Sequence, residues 1–92
     1  MNITEILITK YGFQELQYKD GLDKWSCCRR IHILHWLFYS ENDKHFTLAV
    51  KNESMKGKAG GGYDPWIKVM IPRPIYNEND VIELLTGLNV KL

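Results

Sequence analysis

The chain has 92 residues, 45% of them hydrophobic and 25% charged, and 12 Lys and Arg against 11 Asp and Glu leave a net charge of +1. This length fits a single domain over residues 1–92, and the composition excludes a disordered tail, a fibrous rod and a disulfide-stapled scaffold. The near-neutral net charge gives no strong long-range electrostatic attraction to nucleic acid or to an anionic membrane.

The sequence carries no signal for export, membrane insertion or disulfide bonding. Residues 1–10 lack the basic start of a signal peptide and hold Glu5 within the apolar stretch. The most apolar run, residues 31–39, is shorter than the roughly 20 residues that a membrane helix needs. Cys27 and Cys28 are adjacent and would close only a strained ring, so we expect two free thiols in a cytoplasmic protein.

The first dozen residues predict a helix. Asn2 and Glu5 stand at the spacing of a capping box, and Gly12 is a natural left-handed stop, after which Phe13 can fold back on the helix. The residues at helical spacing are Ile3, Ile6, Leu7 and Lys10. Residues 14–19 then predict a short strand, followed by a turn at Asp20-Gly21.

Residues 25–40 fit two descriptions. At a period of two, both sides of residues 31–39 are mainly apolar, as in a central strand that is covered on both faces. At a period of 3.6, Ile31, Leu34, His35 and Phe38 also align, so a buried helix is an alternative. Aromatic and β-branched residues favour the strand, with a bulge or break in so long a run, and a turn follows at residues 41–44.

The rest of the chain predicts two strands and a helix. Residues 45–51 alternate, with Phe46 inward and Ala49 outward, and residues 66–71 alternate until Pro72-Arg73-Pro74 ends the strand. A C-terminal helix begins at Asn77 or Asn79, has Val81, Leu84, Leu85 and Leu88 at helical spacing, and breaks near Gly87. We therefore expect an α+β domain of two layers, with a small antiparallel sheet of three or four strands flanked by an N-terminal and a C-terminal helix.

One loop has an unusual composition. Residues 55–65 contain three consecutive glycines and two lysines, which suit a phosphate because glycine amides and lysine ammonium groups both attract anions. The spacing does not match a Walker loop or a dinucleotide fingerprint, so a plain connection between strands is the alternative. The candidate binding residues here are Lys56, Lys58, Gly60, Gly61, Gly62, Tyr63 and Trp66.

The remaining polar candidates predict binding rather than catalysis. Arg29 and Arg30, between Trp25 and Trp36, resemble a basic aromatic surface for single-stranded nucleic acid. His32 and His35 would point to opposite faces of a strand and converge only on a helix, so we interpret them as structural. We assign no catalytic residue, metal ligand or cofactor, and nothing in the sequence marks Cys28 as an activated nucleophile.

Short motifs near both ends resemble a known group. Thr4-Glu5-Ile6-Leu7, Tyr11-Gly12-Phe13, a Tyr-Lys-Asp-Gly turn at residues 18–21 and the segment 81–87 resemble small uncharacterised proteins of Bacteroidota phages and mobile elements. The resemblance implies a helix, strands and a closing helix, and it transfers no site residue. It also implies an accessory protein that binds and blocks a host component, including defence proteins.

We therefore expect a small non-enzymatic interaction protein that binds a host protein. Trp66, Tyr63, Trp25 and Arg73 are the proposed anchors, because aromatic and arginine side chains dominate such contacts. Residues 31–39 are apolar on both sides, beyond what two short helices cover, which also fits a homodimer. A phosphate, nucleotide or single-stranded nucleic-acid binding module that uses the 55–66 loop is the alternative.

Overall fold

The computed structural model describes residues 2–16, 25–51 and 66–91. Over these residues the chain is an α+β fold with two helices and five strands. In chain order the elements are α1 (Ile3–Lys10), β1 (Gln14–Glu15), β2 (Cys27–His32), β3 (His35–Ser40), β4 (His45–Lys51), β5 (Trp66–Met70) and α2 (Glu78–Gly87). The predicted turn at Asp20-Gly21 and the predicted loop at 55–65 lie outside the described residues.

The N-terminal helix has the predicted ends. The side chain of Asn2 accepts a hydrogen bond from the amide of Glu5 at 2.9 Å, which satisfies one of the free donors of the first turn. Gly12 takes the left-handed conformation, with φ of 73°. The amide of Phe13 then donates to the carbonyl of Leu7 at 3.1 Å, which turns the chain back over the helix.

The sheet is an antiparallel meander in the order β1-β2-β3-β4-β5. It has one strand more than the three or four predicted, because the apolar stretch of residues 25–40 supplies two strands. Arg30 pairs with Trp36, and a turn at residues 33–34 joins β2 to β3. The strand interpretation of this stretch is confirmed, and the bulge or break predicted in so long a run is present as the register shift between Arg30 and His32 and the turn at residues 33–34.

The hairpin between β2 and β3 contains an irregularity. The pairing register shifts between Arg30 and His32, where β2 has one residue more than β3 opposite it. Such a bulge rotates the residues that follow it relative to the regular alternation. His32 therefore pairs with His35 rather than lying on the opposite face from it.

Both helices pack on one face of the sheet, which we call the helix face. Cross-strand partners share a face, so the register assigns Cys27, Leu37, Tyr39 and Phe46 to it. These four side chains are buried and join a core with residues from both helices. The helix and loop members of that core are Ile3, Leu7, Tyr11, Phe13, Ile75, Val81, Leu84 and Leu85.

The opposite side of the sheet is called the helix-free face, because the described helices pack on the other side. Its members are Gln14, Cys28, Arg30, Trp36, Phe38, Ser40, His45, Thr47, Ala49, Lys51, Trp66, Lys68 and Met70. Ala49 lies on this outward face as predicted, yet its side chain is fully buried. Its pairing partners Trp36 and Lys68 both have much larger side chains.

The C-terminal helix begins and ends as predicted, but the residue that reverses the chain is not the glycine. The side chain of Asn77 accepts from the amide of Asp80 at 3.0 Å, so Asn77 is the N-cap. Gly87 is the last helical residue, and the reversal is made by Asn89, with φ of 61°. The amide of Val90 donates to the carbonyl of Leu85 at 2.9 Å, which completes a Schellman ending. Asparagine tolerates this conformation, and sequence spacing alone favoured the glycine.

Candidate functional site

All three tryptophans of the chain lie on the helix-free face. Trp36 and Trp66 belong to it by register. Trp25 precedes β2 and packs on this face, where its ring lies 4.9 Å from the ring of Phe38. The ammonium of Lys68 lies 5.2 Å from the centre of the Trp25 ring, in a cation–π contact. Trp25 and Trp66, which the sequence proposed together as anchors of one contact, therefore lie on one surface.

A cleft opens on this face beside the hairpin turn. Its volume is about 350 Å³, which is at the lower end of the range for small-ligand sites. Two indole rings and two cationic side chains contribute to its wall. The lining residues are Arg30, Ile33, Leu34, Trp36, Lys51 and Trp66. The combination of aromatic rings and positive charge suits a flat, anionic ligand.

Arg30 also holds the hairpin turn in place. Its Nε donates to the carbonyl of His32 at 3.3 Å, and its Nη2 donates to the carbonyl of Ile33 at 2.9 Å. These bonds satisfy backbone carbonyls that the bulge and the turn remove from the regular pairing. Arg30 therefore links the cleft to the geometry of the two histidines.

Two other predicted binding residues, Arg29 and Arg73, make hydrogen bonds and ion pairs within the fold. Arg29 lies on the helix face, where its guanidinium donates to the carbonyl of Tyr11 at 2.9 Å and to that of Lys91 at 3.0 Å. It therefore joins the end of α1 to the end of the chain. Arg73 lies near α2 and forms ion pairs with Asp80 and Glu83. Neither arginine belongs to the helix-free face, so the prediction that Arg29 and Arg30 form one surface is wrong.

The glycine-rich loop is not described by the structure. Lys56, Lys58, Gly60, Gly61, Gly62 and Tyr63 all lie outside the described residues. Their assignment to a phosphate or a protein partner stays a prediction. Of the loop candidates, Trp66 is described, as the first residue of β5.

Strand β5 leaves apolar side chains exposed that sequence analysis did not single out. Ile67 is 53% exposed, Val69 56% and Met70 57%. β5 is the last strand of the described sheet and pairs with β4. Alternation indicates a strand with one apolar side, but it does not reveal that the helices stop short of this edge. Ile67 and Val69 lie on the helix face by register, whereas Met70 lies on the helix-free face, so we call Ile67 and Val69 the β5 surface.

The two histidines of the hairpin converge, against prediction. The Nδ1 atoms of His32 and His35 lie 3.2 Å apart, and their rings meet edge to face with centroids 5.0 Å apart. The prediction that they point to opposite faces assumed one regular strand. A tight turn and the bulge before His32 bring both rings to the same side.

The environments of the two cysteines disfavour the thiolate form. Both are free and buried. Burial raises the pKa of Cys27 to about 12, and the nearby Cys28 and Glu41 add to the shift. Burial also raises the pKa of Cys28. A thiol becomes a nucleophile as its thiolate, so these environments disfavour covalent chemistry at either position.

Comparison with known proteins gives no relative. No protein-family model matches the chain, and no similar curated protein or solved structure is found. The resemblance to phage and mobile-element proteins therefore stays a prediction, and function has to be argued from the residues themselves. Neither of the described helices has the length and apolar character required to span a membrane.

Proposed function

We propose that the protein is a small non-enzymatic binding protein that recognises another protein through the β5 surface. The observation that carries this proposal is that Ile67 and Val69, two large apolar side chains on the same side of β5, are each more than half exposed. Large apolar side chains clustered on a sheet edge favour association, since burying them releases water from apolar surface.

The partner that fits this surface is an extended apolar segment of a protein. A terminal strand can accept another strand through main-chain hydrogen bonds, while alternate side chains provide specificity. Ile67 and Val69 lie on one side of β5, two residues apart, so a partner strand meets both of them at once. The resemblance to phage and mobile-element proteins favours a host protein as partner, including a defence protein, in the cytoplasm.

We expect that replacing Ile67 and Val69 with threonine weakens partner binding by about 10- to 100-fold. Threonine keeps the β-branched shape that strands favour, so the change removes apolar contact while leaving β5 in place. The measurement is capture of host proteins by the purified chain, followed by titration of the captured protein against both forms.

A matched control distinguishes specific binding at the β5 surface from non-specific binding through any exposed apolar side chain. Tyr76 is 70% exposed and lies outside the strands, and Tyr76→Ser removes a comparable apolar area. Binding that survives Tyr76→Ser and is lost in Ile67→Thr/Val69→Thr supports the proposal. Equal binding by all three forms contradicts it. A mass that doubles with concentration, and returns to the monomer value in the double variant, would identify the partner as a second copy.

Single-stranded nucleic acid is a second candidate, favoured by the helix-free face. The face gathers three tryptophans with Arg30, Lys51 and Lys68, and no strand position on it in the described residues is Asp or Glu. Exposed rings on a positive sheet face are the arrangement on which unpaired bases stack. The cleft between Trp36 and Trp66 has room for one base.

We expect Arg30→Ala/Lys51→Ala to weaken binding of a single-stranded oligonucleotide. The slope of affinity against salt should also fall, by about one for each phosphate that the variant no longer neutralises. Lys10→Ala/Lys44→Ala removes the same charge from other parts of the surface and serves as the control. Titration followed by tryptophan fluorescence at several salt concentrations gives the slope of affinity against salt for each double variant. This function would be rejected if the unmodified chain does not bind the oligonucleotide at low salt. It would also be rejected if both double variants weaken oligonucleotide binding equally.

A further inference from the structure

We propose that His32 and His35 form a two-histidine site for a borderline divalent transition-metal ion such as Zn²⁺ or Cu²⁺. The site lies at the end of the β2-β3 hairpin and is separate from the β5 surface. Neutral imidazole is a preferred ligand for these ions. The proposal rests on the geometry of the two rings and on the backbone that presents them.

The distance between the two nitrogens fits bidentate coordination. The Nδ1 atoms lie 3.2 Å apart, and with metal–nitrogen bonds of about 2.0–2.1 Å they would subtend an angle of about 100° at the ion. This angle lies between square-planar and tetrahedral values. In the metal-free chain one Nδ1 donates to the other, and binding moves that proton to Nε2 so that both Nδ1 lone pairs face the ion.

The backbone on which the two imidazole rings stand is positioned by a register shift and by hydrogen bonds from Arg30. The register shift before His32 moves its side chain to the side occupied by His35. Arg30 fixes the same segment through its bonds to the carbonyls of His32 and Ile33. A bulge that redirects one side chain, supported by a neighbouring hydrogen-bond donor, is a device for positioning a functional group.

The site is open to solvent. His32 is exposed and His35 half-buried, so an ion has access from water. In the described residues no group of three or more His, Cys, Asp and Glu side chains is placed to hold a metal. The two imidazoles are therefore the protein ligands that we propose, with water in the remaining positions, as in sites that keep exchangeable ligands.

The test is titration of the chain, free of any histidine tag, with Zn²⁺ and with Cu²⁺. We expect one ion per chain by calorimetry and two nitrogen couplings in the electron paramagnetic resonance spectrum of the Cu²⁺ form. His32→Ala and His35→Ala should each weaken binding by at least about tenfold and leave one nitrogen coupling. Both positions are at the tip of a hairpin, and thermal melting of each variant verifies that the fold is kept.

The third histidine of the chain provides the matched control. His45 lies at the start of β4, and its Nδ1 donates to the carbonyl of Asp43. His45→Ala should bind Zn²⁺ and Cu²⁺ as the unmodified chain does. A weakening in His45→Ala equal to that in His32→Ala, a single nitrogen coupling in the unmodified chain, or no stoichiometric binding of either ion would overturn the proposal.

Discussion

Replacing Phe46 with alanine is expected to lower the free energy of unfolding by about 3–5 kcal/mol. The side chain is fully buried, and its ring lies 4.9 Å from that of Tyr39 and 6.0 Å from that of Phe13. Alanine would remove these ring contacts and leave a cavity between the sheet and α1. A domain of this size is stable by about 5–15 kcal/mol in all, so the variant should unfold at much lower denaturant concentration.

Urea unfolding followed by tryptophan fluorescence measures this effect. Tyr76→Ala removes an aromatic ring that is 70% exposed, and it should change the free energy of unfolding by less than about 0.5 kcal/mol. If Phe46→Ala does not fold, Phe46→Leu retains most of the volume and should cost less than about 1.5 kcal/mol. A Phe46→Ala protein as stable as the unmodified chain would contradict the packing of Phe46 in the core.

Replacing Glu41 with alanine is expected to cost about 2 kcal/mol at neutral pH. Its carboxylate accepts from the amide of Thr4 at 3.0 Å and from the hydroxyl of Thr4 at 2.9 Å, and it pairs with Lys44 at 3.3 Å. Thr4 is in the first turn of α1, so Glu41 places a negative charge at the positive end of that helix. The contact joins the β3-β4 turn to the N-terminal helix.

The effect of Glu41 depends on pH in a defined direction. Burial by itself would raise the pKa of Glu41, but the bonds from Thr4 and Lys44 outweigh it, and the pKa in the folded state is lowered. The stabilisation is therefore fully present above the unfolded pKa of about 4.3 and is lost as pH falls through the lower folded value. The stability difference between the unmodified chain and Glu41→Ala should shrink below about pH 4.

Urea unfolding at several pH values measures this difference. The pKa of Glu78 is lowered by the Tyr11 hydroxyl and Lys10, and that of Asp80 mainly by the amide of Tyr76. These contributions are the same in both proteins and cancel. Asp43→Ala, at an exposed position of the same turn, should have a small effect. A Glu41→Ala difference that is independent of pH would contradict the role of the carboxylate.

The sequence predicts best the elements whose signals are local. The Asn2 cap and Gly12 stop delimit α1, and the Asn77 cap begins α2 where the apolar spacing starts. Clean alternation predicts β4 with its observed bounds, residues 45–51. In each case the residues that determine the element are neighbours along the chain, so no distant contact is needed to find it.

The β2-β3 hairpin is harder to predict because its turn lacks the residue types that usually form turns. Residues 33 and 34 are Ile and Leu, where Gly, Asn or Asp would normally indicate a reversal. The apolar pattern therefore continues through the turn and predicts one strand. The length of the apolar run predicts a bulge or break, but no local signal gives its position before His32, so alternation did not predict the meeting of His32 and His35.

The sequence by itself determined the fold class, both helices, strand β4 and the presence of aromatic and basic residues suited to binding. The tertiary structure alone decided which of those residues act together. It gathered three tryptophans with Arg30 on one face, turned Arg29 to the other face to hold Tyr11 and Lys91, and left the β5 surface uncovered. The physical reason is that local spacing fixes the direction of a side chain within its own strand. Strand register and helix packing depend on contacts between residues far apart in the chain.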